Sequence, residues 1–191
     1  MSERKDCKII ALVGMPGSGK STAVSYLSEK GYPRVYFGGI VLDALVDAGL
    51  ERTAENERYM REKLRNEEGE DFIAQRIIRQ ITNLIDAGQR QIVADGLYSW
   101  TEYKAMKRAF PGSIEVIALL APRRVRHHRL ANRPERPFTA EEAKLRDWNE
   151  IEELEKGGPI AMADYFVIND NNDLAEFTGK VDRILSDLGF N

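Results

Sequence analysis

The chain carries one cysteine, Cys7, in 191 residues, so no internal disulfide can brace it and a reducing compartment suits it. With Lys5 and Lys8 as its cationic neighbours, Cys7 reads as a strand-edge residue and not as a nucleophile. Histidine is almost as scarce. His127 and His128 stand side by side in an arginine-rich stretch, without acidic partners at metal-ligand spacing, and read as surface residues. Long apolar runs and an N-terminal signal pattern are both missing, which predicts no membrane partner and a cytoplasmic location. Charge of one sign is missing too. A net charge of −3 gives no global pull toward nucleic acid, so the basic residues must act locally. There is no internal repeat and no low-complexity linker. Hydrophobic residues at 42% and charged residues at 31%, over this length, predict a single domain spanning 1–191 with one sizeable core.

What is present is more specific. After the apolar run Lys8 to Val13 comes Gly14-Met15-Pro16-Gly17-Ser18-Gly19-Lys20-Ser21-Thr22, which fits the phosphate-cradling pattern G-x-x-x-x-G-K-[ST]. The glycines let backbone N–H groups turn inward around phosphates, Lys20 can reach the terminal phosphates, and the Ser21 hydroxyl can ligate magnesium. Ala23, Val24 and Leu27 then begin a helical stripe, so the loop lies between a buried strand and a helix N-terminus. The expectation is ATP with Mg2+ on residues 14–22.

Four further short apolar runs, Arg34 to Phe37, Gln91 to Ala94, Ile114 to Leu119 and Tyr165 to Ile168, alternate with helical patterns. That alternation predicts an α/β fold: a five-stranded parallel sheet with helices on both faces, of the P-loop NTPase, nucleotide-kinase-like kind. Ligand then lies at the carboxyl ends of the strands, where Gly14, Gly38-Gly39, Asp95 and Asn169-Asp170-Asn171 fall. The long stretch from Thr53 to Ala87 splits into two helices at Gly69. A polar excursion over about 132–158 reads as a small arginine-rich lid containing one helix from Thr139 to about Lys156. The last helix runs through Leu174, Phe177, Val181, Ile184, Leu185 and Leu188, with Asn172 or Asp173 as N-cap.

Asp95, at the end of Ile92-Val93-Ala94, is the acidic candidate: it can hold magnesium through water or act on an attacking hydroxyl, the alternative being a capping residue of an Asp-Gly turn. Seven arginines, at 123, 124, 126, 129, 133, 136 and 146, lie in the helix after the fourth strand and in the excursion. Such a cluster suits phosphoryl transfer, where charge builds on non-bridging oxygens and guanidinium forks stabilise it. Arg129 and Arg133, one helical turn apart, are the members placed over the phosphates, with Arg146 as a possible third; an exposed helix balanced by Glu135, Glu141 and Glu142 is the bland reading. Candidate acceptor contacts are Gly38, Arg65, Arg76 and Gly96. For Arg61 and Arg65, helix pairs with Glu57, Glu62 and Glu68 are the competing assignment.

With those pieces placed, the chain resembles the small-molecule and nucleotide kinases of the P-loop superfamily. The segments GMPGSGKS, YFGG, LRNEEG, VADGLYS and ADYFVIND, which span nearly the whole chain, are similar to an archaeal-type family of uncharacterised, adenylate-kinase-like ATP-binding proteins. ADYFVIND also resembles the closing strand of dephospho-coenzyme A kinases. The resemblance implies transfer of the ATP gamma phosphate to a nucleotide-like or other small acceptor; a third reading, a nucleic-acid-acting enzyme using the arginine helix as a backbone-binding stripe, is opposed by the net acidic charge, so no nucleic-acid partner is expected. The chain departs from the dephospho-coenzyme A kinases at the second strand, where no acid appears until Asp43, and from adenylate-kinase-like enzymes after Asp95-Gly96, where Leu97-Tyr98-Ser99 carries no arginine. The alternative function is an ATP-hydrolysing switch or assembly factor without a small-molecule acceptor.

Overall fold

The computed structural model describes residues 6–190. Five parallel strands, β1 (Lys8–Val13), β2 (Arg34–Tyr36), β3 (Gln91–Asp95), β4 (Ile114–Leu120) and β5 (Tyr165–Ile168), form one sheet in the order β2-β3-β1-β4-β5. β1 is central because it is apolar on both faces. Ile9, Ala11 and Val13 enter the core on one side, while Ile10 and Leu12 enter the other, so this strand needs cover above and below. β3 and β4 flank it, and the chain leaves β1 toward one edge and later returns to the other. A crevice opens at that switch, beyond the carboxyl ends of the strands.

One face of the sheet is covered by α1 (Lys20–Glu29) and α9 (Leu174–Leu188), through Ala23, Val24 and Leu27 of the first and Phe177, Val181, Ile184 and Leu185 of the second. The other packs against α2 (Gly39–Asp47), α3 (Ala54–Glu68), α4 (Phe72–Asp86) and α5 (Trp100–Ala109). In α4 the residues Ile77, Ile81 and Ile85 recur every four positions and are buried, which is the spacing of one helical face. The break at Gly69 falls where the sequence places it, at a φ of 99° that a side chain would resist. Asp173 caps α9 by accepting from the Glu176 N–H at 2.9 Å.

Between α6 (Arg123–Ala131) and β5 the structure corrects the expected single helix over 139–156. α7 covers Ala140–Glu152, opened by a capping box between Thr139 and Glu142. The chain then turns through Glu155 at a left-handed φ of 52° and starts a short α8 (Gly157–Ala161). α7 ends at Glu152, before the Gly157-Gly158-Pro159 run that opens α8, and the turn between the two helices brings Lys156 into the interior as the N-cap residue of α8. The second strand stops at Tyr36, one residue short of the predicted Phe37, and the third reaches Asp95, one beyond Ala94. Cys7 is buried immediately before β1. His127 is also corrected: it is largely buried, its Nε2 lying 2.9 Å from Asp147 of α7.

Candidate active site

The loop from Gly14 to Gly19 leaves β1 and enters α1 with Gly17 and Gly19 at φ of 81° and 102°. A methyl group at Gly17 would lie 2.6 Å from the Arg126 carbonyl oxygen, and one at Gly19 would lie 2.2 Å from the Asn169 side-chain nitrogen. Both glycines are therefore required twice, by backbone conformation and by close neighbours. Asn169, at the end of β5, donates to the Ser18 carbonyl at 2.8 Å, pinning the loop from beside the sheet. Gly19 offers no side chain to cap α1, and no acidic residue sits in its first turn, so this helix start is left open toward an anion. The Ser18 hydroxyl is buried without a hydrogen-bond partner.

A cavity of about 570 Å³ lies over the loop. Its lining contains every residue from Gly14 to Thr22 except the buried Ser18, together with Tyr98, Arg129, Arg133, Phe138, Arg146, Glu150 and Lys156. Five cations thus face one carboxylate. Such an imbalance disfavours an empty, dehydrated cavity and suits a polyanion. Arg129 is fixed by backbone oxygens, donating to the Asn169 carbonyl at 3.1 Å and to the Gly17 and Asn171 carbonyls. Arg133 lies 5.8 Å from the centre of the Phe138 ring. A smaller cavity of about 350 Å³, lined by Arg124, Val125, His128, Asp170, Asn171 and Asn172, adjoins the Arg129–Asn171 contact.

Asp95 is buried behind Lys20 and is not part of the cavity lining. Its Oδ1 accepts from Lys20 Nζ at 2.8 Å, and its Oδ2 accepts from Arg34 Nε at 3.1 Å and from the same guanidinium's terminal nitrogen at 2.5 Å. Arg34 stacks over Tyr36 with 4.6 Å to the ring centre. Beyond Asp95 the backbone folds so that Tyr98 covers Gly96, and Glu102 ties the segment down by accepting from the Tyr98 and Ser99 N–H groups at 2.7 and 3.1 Å. Burial pushes the Glu102 carboxyl up to about 7 against the opposing pull of those two donors and of Lys156. Burial, and then the neighbouring Tyr36 and Asp95, also hold the Tyr98 phenol well above its ordinary value.

Arg126 joins the loop to α7. It donates to the Pro16 carbonyl at 3.1 Å and forms a two-pronged bond to Asp147 at 2.6 and 2.8 Å. Burial opposes the Asp147 charge, but hydrogen bonds from Arg126 and His127 outweigh it and hold the carboxyl below its usual range.

Of the expected acceptor contacts, none lines the cavity. Arg65 pairs with Glu70 at 2.9 Å, and Arg76 bonds Glu68 at 3.1 Å through its Nε. Gly38 is covered by the Tyr36 ring, as Gly96 is by Tyr98. Sequence reasoning missed Arg34, Tyr98, Glu150 and Lys156 and the inward role of Arg126. Among the described residues, no cluster of three or more His, Cys, Asp or Glu is placed to hold a metal, and no helix is long and apolar enough to cross a membrane.

Sheet order, loop and cavity together define an α/β protein with a P-loop, kinase-like fold, one it shares with a shikimate kinase and a gluconokinase. The chain matches a sequence family described as an AAA domain over residues 10–160, and it is 35% identical to a UPF0200 protein of Thermococcus kodakarensis over 94% of this chain and 97% of that one. It belongs to the UPF0200 family. Among solved structures it superposes on TT1252 from Thermus thermophilus with a TM-score of 0.65 at 18% identity, covering 95% of this chain and 98% of that one. A shikimate kinase from Acinetobacter baumannii, solved in complex with shikimate, gives 0.57 at 16% identity, with 96% and 95% covered.

Proposed function

We propose that this chain is an ATP-dependent phosphotransferase, in which Gly14 to Thr22 hold the donor polyphosphate and a small acceptor enters beside Asp95. The observation that carries this reading is the cavity in which Lys20, Arg129, Arg133, Arg146 and Lys156 surround one carboxylate above an uncapped helix start. The residues suit ATP and magnesium: glycine-lined backbone faces the cavity, Ser21 brings a hydroxyl, and Asp95 brings an acid beside Lys20. Bound magnesium would neutralise charge on the phosphates, with Ser21 and, through water, Asp95 holding it. Lys20 exchanges Asp95 for the terminal phosphates, while Arg34 keeps Asp95 oriented. Arg129 and Arg133 stabilise charge on the phosphoryl oxygens, and residues 132–158 act as a lid that excludes water. The second cavity, between α6 and the loop after β5, takes the base.

Acceptors of the dephospho-coenzyme A and nucleoside monophosphate kind are the first to test, given the kinases that the segments GMPGSGKS, VADGLYS and ADYFVIND resemble. The experiment is a labelled-ATP transfer screen against dephospho-coenzyme A, nucleoside monophosphates and small alcohols, with water as control. Label should appear on an acceptor, and Lys20→Ala should abolish it while far-UV circular dichroism stays unchanged. Label arriving only on water would replace the kinase by an ATP-hydrolysing switch, and full turnover in Lys20→Ala would remove the loop from the reaction.

A further inference from the structure

The wall of the cavity that faces the loop holds a buried ionic group that the donor phosphates leave unexplained. Lys156 is only 2% exposed and Glu150 only 1%, and the two are paired. Arg146, one turn before Glu150 on α7, shares the same carboxylate at 2.6 Å. All three line the cavity, so two cations and one anion meet there, leaving one positive charge in excess. The Tyr98 ring lies against this group, 4.6 Å from Lys156 and 5.6 Å from Lys20, and joins it to the place where Lys20 meets Asp95. Isolated charges are costly to bury, and a lysine kept in such a place reports that cost. Burial first, then repulsion from Lys20 and Arg146, pulls the Lys156 ammonium down to about 7 although Glu102 opposes the change. The other cations of the cavity have different engagements: Lys20 with Asp95, Arg129 with three backbone carbonyls, Arg133 beside Phe138. An incoming oxyanion relieves the Lys156 site by supplying the second anion that Glu150, divided between two partners, does not.

We propose that Lys156 and Arg146, held in readiness by Glu150 and bordered by Tyr98, form the acceptor pole of the cavity and grip an oxyanion on the acceptor, a phosphomonoester or a carboxylate. The inference rests on the phosphotransferase reading and adds to it the acceptor's chemical class and the side chains that select it. Neutral alcohols and sugars lack the group this wall binds. The acceptor pole thereby moves from Gly38, Arg65, Arg76 and Gly96 to residues of α7, the turn after it and the segment that follows Asp95.

The test uses the full chain and begins with calorimetric titration of a magnesium complex of a non-hydrolysable ATP analogue. The loaded protein is then titrated with sulfate, a tetrahedral stand-in for a phosphomonoester, with acetate, and with glycerol. Sulfate or acetate should bind and glycerol should not, and preference between the two anions identifies the acceptor group. In Lys156→Met the anion affinity should fall about tenfold or more, with analogue affinity moving less than about threefold. Glu150→Gln, which frees Arg146 from its carboxylate, should at pH 6, below the Lys156 value, shift anion affinity the other way, tightening it by about threefold or more, a result that loss of structure does not produce. Lys156→Arg should retain the anion. The proposal is overturned if neither anion binds the loaded wild type, or if Lys156→Met and Glu150→Gln both bind like wild type. Failure of the analogue to bind in the first titration overturns the donor-site reading, and this one with it, before any anion is added.

Discussion

Glu102 converts a buried carboxyl into a measurable dependence of stability on pH. It is 7% exposed and serves as the reciprocal partner of Ser99 in the capping box of α5, so it also fixes the segment that follows Asp95. Burial raises its folded value from 4.5 to about 7. Between those two values the folded protein keeps a proton that the unfolded chain has released. The stabilisation is therefore complete below the unfolded value and is lost as pH rises through 7. Each pH unit of the gap is worth about 1.4 kcal/mol, which amounts to about 3 kcal/mol across the window. Glu102→Gln keeps an amide oxygen for the Tyr98 and Ser99 N–H groups and does not titrate. The variant should therefore gain on wild type by about 3 kcal/mol from pH 4 to pH 8. Urea unfolding at closely spaced pH values, with equal denaturant slopes confirming that only stability changes, measures the difference. A difference that stays flat across this interval would refute the burial argument.

Arg126→Met removes the two-pronged bond to Asp147 and the bond to the Pro16 carbonyl, leaving a buried carboxylate with only His127 and Arg123 beside it. Because those two remain, the loss should be about 2 to 3 kcal/mol, at or below the low end for a broken buried pair; chemical denaturation and nucleotide affinity should both report it, and an unchanged midpoint would show that the loop is not braced from α7. Asp95→Asn should slow transfer by about a hundredfold or more while nucleotide affinity changes far less. If single-turnover rates in that variant match wild type, Asp95 serves only the turn. Arg65→Ala and Arg76→Ala, which break pairs with Glu70 and Glu68 outside the cavity, should each cost under about 1 kcal/mol and leave transfer rates near wild type. A large loss of transfer in either would return the acceptor to α3 and α4.

Local patterns of residues determined the sheet, the helix break at Gly69, the N-cap of α9 and the loop itself. Each is written within a short window: a run apolar on both faces, a glycine at a forbidden φ, an oxygen three residues before an open N–H, a glycine spacing that leaves room for backbone. Asp95 was legible for the same reason, as an acid ending an apolar run. The long-range partners were not. Arg34 and Asp95 are separated by 61 positions, Arg126 and Pro16 by 110, and Asn169 and Ser18 by 151. Seven arginines looked alike in the sequence, yet tertiary packing gave Arg126 to Asp147, Arg129 to backbone carbonyls and Arg146 to Glu150. A guanidinium's function is set by the oxygens that surround it, and only the folded chain decides which those are. Lys156 shows the same division: in the sequence it is one more charged residue of a polar stretch, but burial beside Glu150 and Tyr98 makes the lysine part of the cavity wall.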